Sequence, residues 1–320
     1  MRQTGSPIGN RRKSYRMTIS PIPPKSALVL GGGSLKGAFQ TGAVLALFEQ
    51  GFVPDALYGI SVGSLNATFL AHEAARQHAE TGAIDWPKAG HALVEFWIRN
   101  ITRPGDVAEL RPRWRLGLDT LMSRFDGFVD NAPLKALLRR TIDPELLKTS
   151  PIPVKVGAVD VTGGEMVYAD ATDPHFMDYL FASSAVPVLM PGVQIGGDPR
   201  RTFMDGGLRE VAPVRLAIED GATDIACVAC HAKQIVNTRF NYRNLLNLLD
   251  RVKDITVNQL VNSDLAWAER FAHREQQRDH NFRFRLIRPA DPIELDLLKF
   301  TSDDIGKMIV TGYETASKQL

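Results

Sequence analysis

Ser61 lies in Gly59-Ile60-Ser61-Val62-Gly63, a G-x-S-x-G spacing. Glycines at those two places let a strand turn sharply into a helix, leaving the serine hydroxyl proud of the turn. The flanking residues fit that arrangement. Phe52 to Tyr58 is short and apolar enough for a buried strand, and Ser64 to Glu80 carries Leu65, Phe69, Leu70 and several alanines at helical spacing, without Pro or Gly. The chemistry indicated is nucleophilic attack by Ser61, with the positive end of a helix beside it.

A second stretch with chemical character comes one unit earlier. Ala27-Leu28-Val29-Leu30 reads as a buried strand and leads into Gly31-Gly32-Gly33-Ser34-Leu35-Lys36-Gly37. A helix follows from Ala38 to Gln50, with Phe39, Val44, Leu45, Leu47 and Phe48 available for packing. Three glycines ahead of a helix expose backbone N–H groups that suit a negative ligand. A P-loop would place Ser or Thr after a Gly-Lys pair, whereas here Lys36 precedes Gly37 and Ala38 follows. In a dinucleotide fingerprint Gly31 and Gly33 fit, but the third glycine arrives one residue late. An oxyanion hole, whose donors face a developing alkoxide, agrees with a nucleophile in the next β-α unit. A plain turn is the remaining reading.

A serine nucleophile needs a base. Of the seven histidines, only His231, at the end of an apparent strand, stands where a base could project. Asp205, in Phe203-Met204-Asp205-Gly206-Gly207, sits on a glycine-rich turn that can bring a carboxylate close to other backbone. In a dry cleft its pKa would rise, making it competent to take a proton.

Cys227-Val228-Ala229-Cys230-His231 spells the c-type haem motif, but it falls inside Thr223 to Ala232, which reads as a core strand. Zinc lacks a second ligand pair. The two cysteines are expected to be buried apolar residues, and neither a metal nor a cofactor is implied.

The whole chain bounds these readings. Its 320 residues are 44% hydrophobic, enough for a sizeable core, and no apolar run is long enough to span a bilayer. No apolar stretch of signal-peptide type follows Arg16, and two cysteines fit a reducing compartment, so a cytoplasmic chain is expected. Residues 1–25 hold six basic and no acidic residues, so the remainder of this +2 chain is net −4. Residues 1–24 read as a disordered basic extension, either solvated or touching anionic lipid. No basic patch with interleaved aromatics follows it, so no nucleic-acid partner is expected.

Residues 81–130 are the least orderly part. Trp86, Pro87, Trp97, Pro104, Pro112 and Trp114 fall among short apolar clusters, which reads as a cap over the cleft or a peripheral helical subdomain. Asn131 and Pro133 signal a helix with Leu134, Leu137 and Leu138 on one face. Val154 to Val161 and Glu165 to Tyr168 read as a hairpin across Gly163-Gly164. Tyr242 to His280 reads as one or two long helices. Leu245, Leu246, Leu249, Val252, Leu260 and Val261 form a stripe there, expected to dock on the sheet, with dimerisation as the alternative. A strand over Asn281 to Ile287 and a final helix over Ser302 to Lys318 follow.

Four blocks in order resemble the patatin-like phospholipases: the Gly31–Gly37 loop, the Gly59–Gly63 elbow, Ser183-Ser184-Ala185-Val186-Pro187, and Asp205-Gly206-Gly207. The resemblance implies a three-layer α/β/α fold with a mainly parallel sheet over 25–320, and a Ser–Asp dyad of Ser61 and Asp205. It also implies an oxyanion hole from Gly32 and Gly33, with Gly31 a further candidate, and Lys36 as an anchor of that loop. Phospholipid or another lipid ester is the implied substrate, with peripheral membrane contact and oligomeric state open. Where the family has Asn-x-Pro after Asp-Gly-Gly, this chain has Val211-Ala212-Pro213. Two alternatives are an esterase or thioesterase on the same dyad, and a regulatory protein binding nucleotide or another ligand on the glycine loop.

Overall fold

In the computed structural model, residues 25–112, 127–198, 200–235, 243, 245–278, 280–295 and 299–319 are described. The basic extension 1–24, Trp114 and the start of the long helix at Tyr242 lie outside them.

The centre is a seven-stranded sheet. Its strands are β1 (Ser26–Leu30), β2 (Ala56–Ile60), β5 (Val154–Asp160), β6 (Glu165–Asp170), β7 (Phe203–Asp205), β8 (Asp224–Val228) and β9 (Arg283–Ile287), in the order β6-β5-β2-β1-β8-β9, with β7 also on β5. β2, β1, β8 and β9 run parallel with β5, while β6 and β7 pair with β5 antiparallel. A two-stranded ribbon, β3 (Glu109–Leu110) with β4 (Val129–Asp130), stands apart.

The helices are α1 (Gly37–Glu49), α2 (Val62–Thr81), α3 (Trp86–Asn100), α4 (Ala132–Thr141), α5 (Pro144–Lys148), α6 (Phe176–Ser183), α7 (Val214–Glu219), α8 (Leu245–Gln277) and α9 (Ser302–Gln319). Strand alternation divides them between two faces. Leu28, Leu30 and Leu57 point into the larger core with Phe39, Leu70, Leu93, Leu137 and Met308 from the helices. Ala27, Val29 and Tyr58 point the other way, onto Val214 and Ala217 of α7 and Val261, Leu265 and Ala268 of α8. This is an α/β/α sandwich around a mixed, mainly parallel sheet.

The stretch 81–130 differs from a loose cap at its start. Residues 86–100 form a regular helix, N-capped by Asp85, whose side chain accepts the Lys88 N–H. Its Trp86, Leu93 and Trp97 are buried in the main core. Two tryptophans and a proline disguised it, although Pro87 falls in the first turn, where a missing N–H costs nothing. The cysteines are buried and unbridged, Cys227 under α7 and α8 and Cys230 on the opposite face. The stripe on the long helix divides: Val261 docks on the sheet, whereas Val252 is exposed.

Candidate active site

The turn between β2 and α2 is Ser61, with φ 55° and ψ −127°. That region is costly for any residue with a Cβ and persists only where its surroundings enforce it. Here the enforcement is steric. A Cβ on Gly63 would lie 2.0 Å from the Leu30 carbonyl oxygen, and one on Gly59 would lie 2.4 Å from the Gly63 carbonyl oxygen. The helix start is thus pressed against the end of β1. Ser183, the last residue of α6, braces the turn: its Oγ accepts the Ser61 N–H at 2.9 Å and lies 2.8 Å from Ser64 Oγ. Sequence reading placed Ser183 in a block but gave it no such role.

Sheet register brings Asp205 to this turn. β2 pairs with β5 as far as Ile60 opposite Gly157, and there the chain leaves the sheet at Ser61. The next position on β5, Ala158, pairs with Asp205 of β7. Asp205 therefore fills the lane that β2 vacates. Its Oδ2 accepts the Ser61 hydroxyl at 2.7 Å, and its Oδ1 accepts the Gly207 N–H at 2.8 Å. Both side chains are buried. Burial pushes the Asp205 pKa up to about 6, opposed by the Ser61 and Gly207 hydrogen bonds and by the positive charge of Lys253.

The glycine loop is positioned from three directions. Gln40 Nε2 donates to the carbonyls of Gly31 (2.7 Å) and Val228 (3.1 Å), and its Oε1 accepts from Asn66 Nδ2. Asn66 Oδ1 accepts in turn from Trp97 Nε1, so α3 supports the loop through a buried polar chain. Cys230 Sγ contacts the Lys36 carbonyl at 3.5 Å. Lys36 ends the short turn Ser34–Lys36, and its charge acts on His231 and Cys230.

Two of the three glycines do not hold the donors expected of them. The Gly31 N–H continues the β1–β8 ladder to the Val228 carbonyl (3.0 Å), and the Gly32 N–H donates to the Val211 carbonyl (2.9 Å). Among the described residues, the Gly33 N–H meets no acceptor, and neither does that of Val62 at the first position of α2. Val62 was missed in the sequence, although the residue after an elbow nucleophile supplies such a donor by position alone. The Val211 strap is itself fastened by Asp264 of α8, which accepts the N–H groups of Val211 (2.9 Å) and Ala212 (3.2 Å). This is how Val211-Ala212-Pro213 is held beside the site.

His231 lies against the loop, with Cε1 3.6 Å from where a Cβ on Gly33 would stand. Burial, with Lys36, Lys253 and Arg288 around it, drives its pKa down to about 3. It is a neutral imidazole at any working pH. The Ser61 hydroxyl is bonded to Asp205 instead.

Position 33 tolerates no side chain. A Cβ there would come 2.2 Å from Cys230 Cβ and 2.7 Å from its sulfur, so Gly33→Ala must push the loop away from Ser61. The expected result is a loss of kcat of about 100-fold on a soluble ester, the scale of one displaced oxyanion donor. Adding Cys230→Gly removes both clashing atoms and is expected to recover part of that loss.

A model of the patatin-like phospholipase family matches residues 28–218. The chain belongs to this family. The match spans the elbow, the glycine loop and Asp205. Among curated relatives, patatin-like phospholipase domain-containing protein 7 of Rattus norvegicus is 26% identical over 204 residues, covering 63% of this chain and 13% of the relative. Patatin-like phospholipase domain-containing protein 6 of Homo sapiens is 25% identical over 205 residues, with the same coverage. The chain thus spans about an eighth of the length of the curated relatives it matches. Among solved structures, VipD from Legionella pneumophila aligns over 92% of this chain and 66% of its own, at 14% identity and a TM-score of 0.43.

Proposed function

We propose that the chain is a serine lipid acyl hydrolase of phospholipase A type, with Ser61 as nucleophile and Asp205 as general base. The observation that carries this reading is the 2.7 Å Ser61–Asp205 hydrogen bond in a buried setting that raises the carboxylate pKa to about 6. A base of that pKa is deprotonated at neutral pH yet can return its proton to a leaving group.

Asp205 takes the hydroxyl proton as Ser61 Oγ bonds to the ester carbonyl carbon. The N–H groups of Gly33 and Val62, with the positive end of α2, face the oxygen that becomes negative. As the tetrahedral adduct collapses, the C–O bond to the leaving alcohol breaks and that oxygen receives the proton from Asp205. Water then attacks acyl-Ser61 with Asp205 again as base, releasing fatty acid and restoring the hydroxyl. Lys36 holds the loop from its far end. The steps need no metal or organic cofactor.

The ligand-binding alternative has less support. Its anion cradle requires several free N–H groups, and those of Gly31 and Gly32 are already used.

The test is acyl release by the purified chain from phosphatidylcholine vesicles, a soluble p-nitrophenyl butyrate and an acyl thioester. Fatty acid from the vesicles, lost in Ser61→Ala, is expected. Turnover of the soluble ester or thioester alone would replace the lipid reading with the esterase one. No turnover of any of the three, together with nucleotide binding, would overturn both.

A further inference from the structure

α8 is 33 residues long, and its apolar side chains pack into the second core from Val257 onward. Val261, Leu265, Ala268 and Ala272 are buried against the sheet, whereas no described side chain from 245 to 260 is fully buried. Contacts along the helix give its direction. Phe271 stacks edge-on against Phe282, before the start of β9. Asn262 lies farther up, bonded to Arg288 just past the end of β9 and to the Lys233 carbonyl. Asn258 reaches the Ala232 carbonyl, four residues past β8. Residues 245–256, about 18 Å of helix, therefore lead on past the carboxyl ends of the parallel strands. That is the edge at which Ser61 turns out of β2. Lys253 on this overhang is close enough for its charge to act on both Asp205 and His231.

The overhang carries an apolar face toward solvent. Leu248, Val252 and Ile255, at i, i+4 and i+7, are 37%, 52% and 51% exposed. Continued toward the C-terminus, the same face bears Gln259, Ser263, Ala266 and Arg270, so its large apolar side chains are confined to the part beside the site. Two turns adjoining Asp205 add exposed apolar side chains: Leu208, three residues after it, and Val188, beyond the Ala185 carbonyl that accepts the Asp205 N–H.

We propose that the overhanging part of α8, with Leu208 and Val188, seats the mouth of the site on a phospholipid bilayer. The proposal rests on the lipid hydrolase reading, because it is that chemistry which requires the mouth to meet a membrane. No described helix is long and apolar enough to cross one, so the contact is at the surface. Charge is not the driving force. Asp250, Arg251, Lys253 and Asp254, which interleave the stripe, sum to zero, and Lys253 already lies 3.8 Å from Asp254. Apolar insertion into a zwitterionic surface fits this composition.

The experiment is flotation of the full chain carrying Ser61→Ala with phosphatidylcholine vesicles, which have no net charge for residues 1–25 to sense. Binding is expected, and it should change no more than about twofold at roughly 0.5 M salt. Val252→Glu with Ile255→Glu should weaken it about 100-fold. The same pair in the active chain should leave hydrolysis of the soluble ester within about twofold, since neither residue touches the dyad. Val252→Ser with Ile255→Ser, milder at exposed positions, should weaken binding in the same direction. Vesicle binding by the parent that the double variants do not reduce would overturn the proposal, as would absence of binding by the parent. A dimer without lipid that the same substitutions dissociate would assign the face to a second copy instead. Loss of soluble-ester turnover by the unsubstituted chain would strike the hydrolase reading, while flotation would still report on the face.

Discussion

Asp205→Asn is expected to lose at least about 1,000-fold in kcat while melting at a higher temperature than the parent near pH 8. Asparagine has a single acceptor oxygen, which keeps the Gly207 N–H bond while its NH2 group faces Ser61 Oγ and can donate to it, but it cannot take a proton, so the loss falls on the chemical step. The gain in stability follows from the same carboxylate. Its pKa is 3.8 in an unfolded chain and about 6 in the fold. The fold therefore favours the protonated form. That contribution is fully present below the unfolded value and is lost as pH rises through 6. At neutral pH the parent carries a penalty of roughly 3 kcal/mol that the amide does not. The gap between the two melting temperatures should shrink toward about pH 5. In the parent, kcat/KM for a soluble ester should fall about tenfold per unit below pH 6. A variant that keeps near-parental turnover, or a parent whose activity ignores pH between 5 and 7, would remove Asp205 from the mechanism.

Ser61→Ala is expected to abolish acyl release, a loss of about 10,000-fold or more, because no covalent intermediate can form. Alanine removes one hydrogen bond and leaves the Asp205 carboxylate buried with only the Gly207 N–H. A buried acceptor that loses its donor costs about 1–3 kcal/mol, which raises the Asp205 pKa further and moderates the loss by protonation. The strained backbone at position 61 stays, since Gly59 and Gly63 impose it. The variant should thus be folded, slightly less stable and inactive, and circular dichroism with a thermal melt separates those outcomes.

The parts legible in the sequence are those whose cause is local. A serine between two glycines at a strand–helix junction announces its own turn, and Ser61 adopts it. The unbroken apolar run Ala27–Leu30 and the helical run after Gly37 likewise specify elements that depend on their own residues. The direction of an N–H is different. Whether Gly31 and Gly32 keep free donors is decided by Val228 and Val211, and Val211 is decided by Asp264, 53 positions farther on. Nothing near the glycines carries that information. Support for the loop from Trp97 through Asn66 and Gln40 is equally remote. The stripe on α8 divides for another reason. Periodicity identifies an apolar face but not whether the molecule supplies anything to cover it, and past Asn258 the sheet has ended.

Labelling of the purified chain by a serine-directed fluorophosphonate, with the modified residue located by mass spectrometry, asks whether Ser61 is an activated nucleophile. The probe requires both an activated serine and donors for the developing negative oxygen, and it requires no knowledge of the natural lipid. A single adduct on Ser61 is expected, absent in Ser61→Ala and slowed about 1,000-fold or more in Asp205→Asn. An adduct on another serine, or equal labelling in the Asp205 variant, would contradict the Ser61–Asp205 dyad.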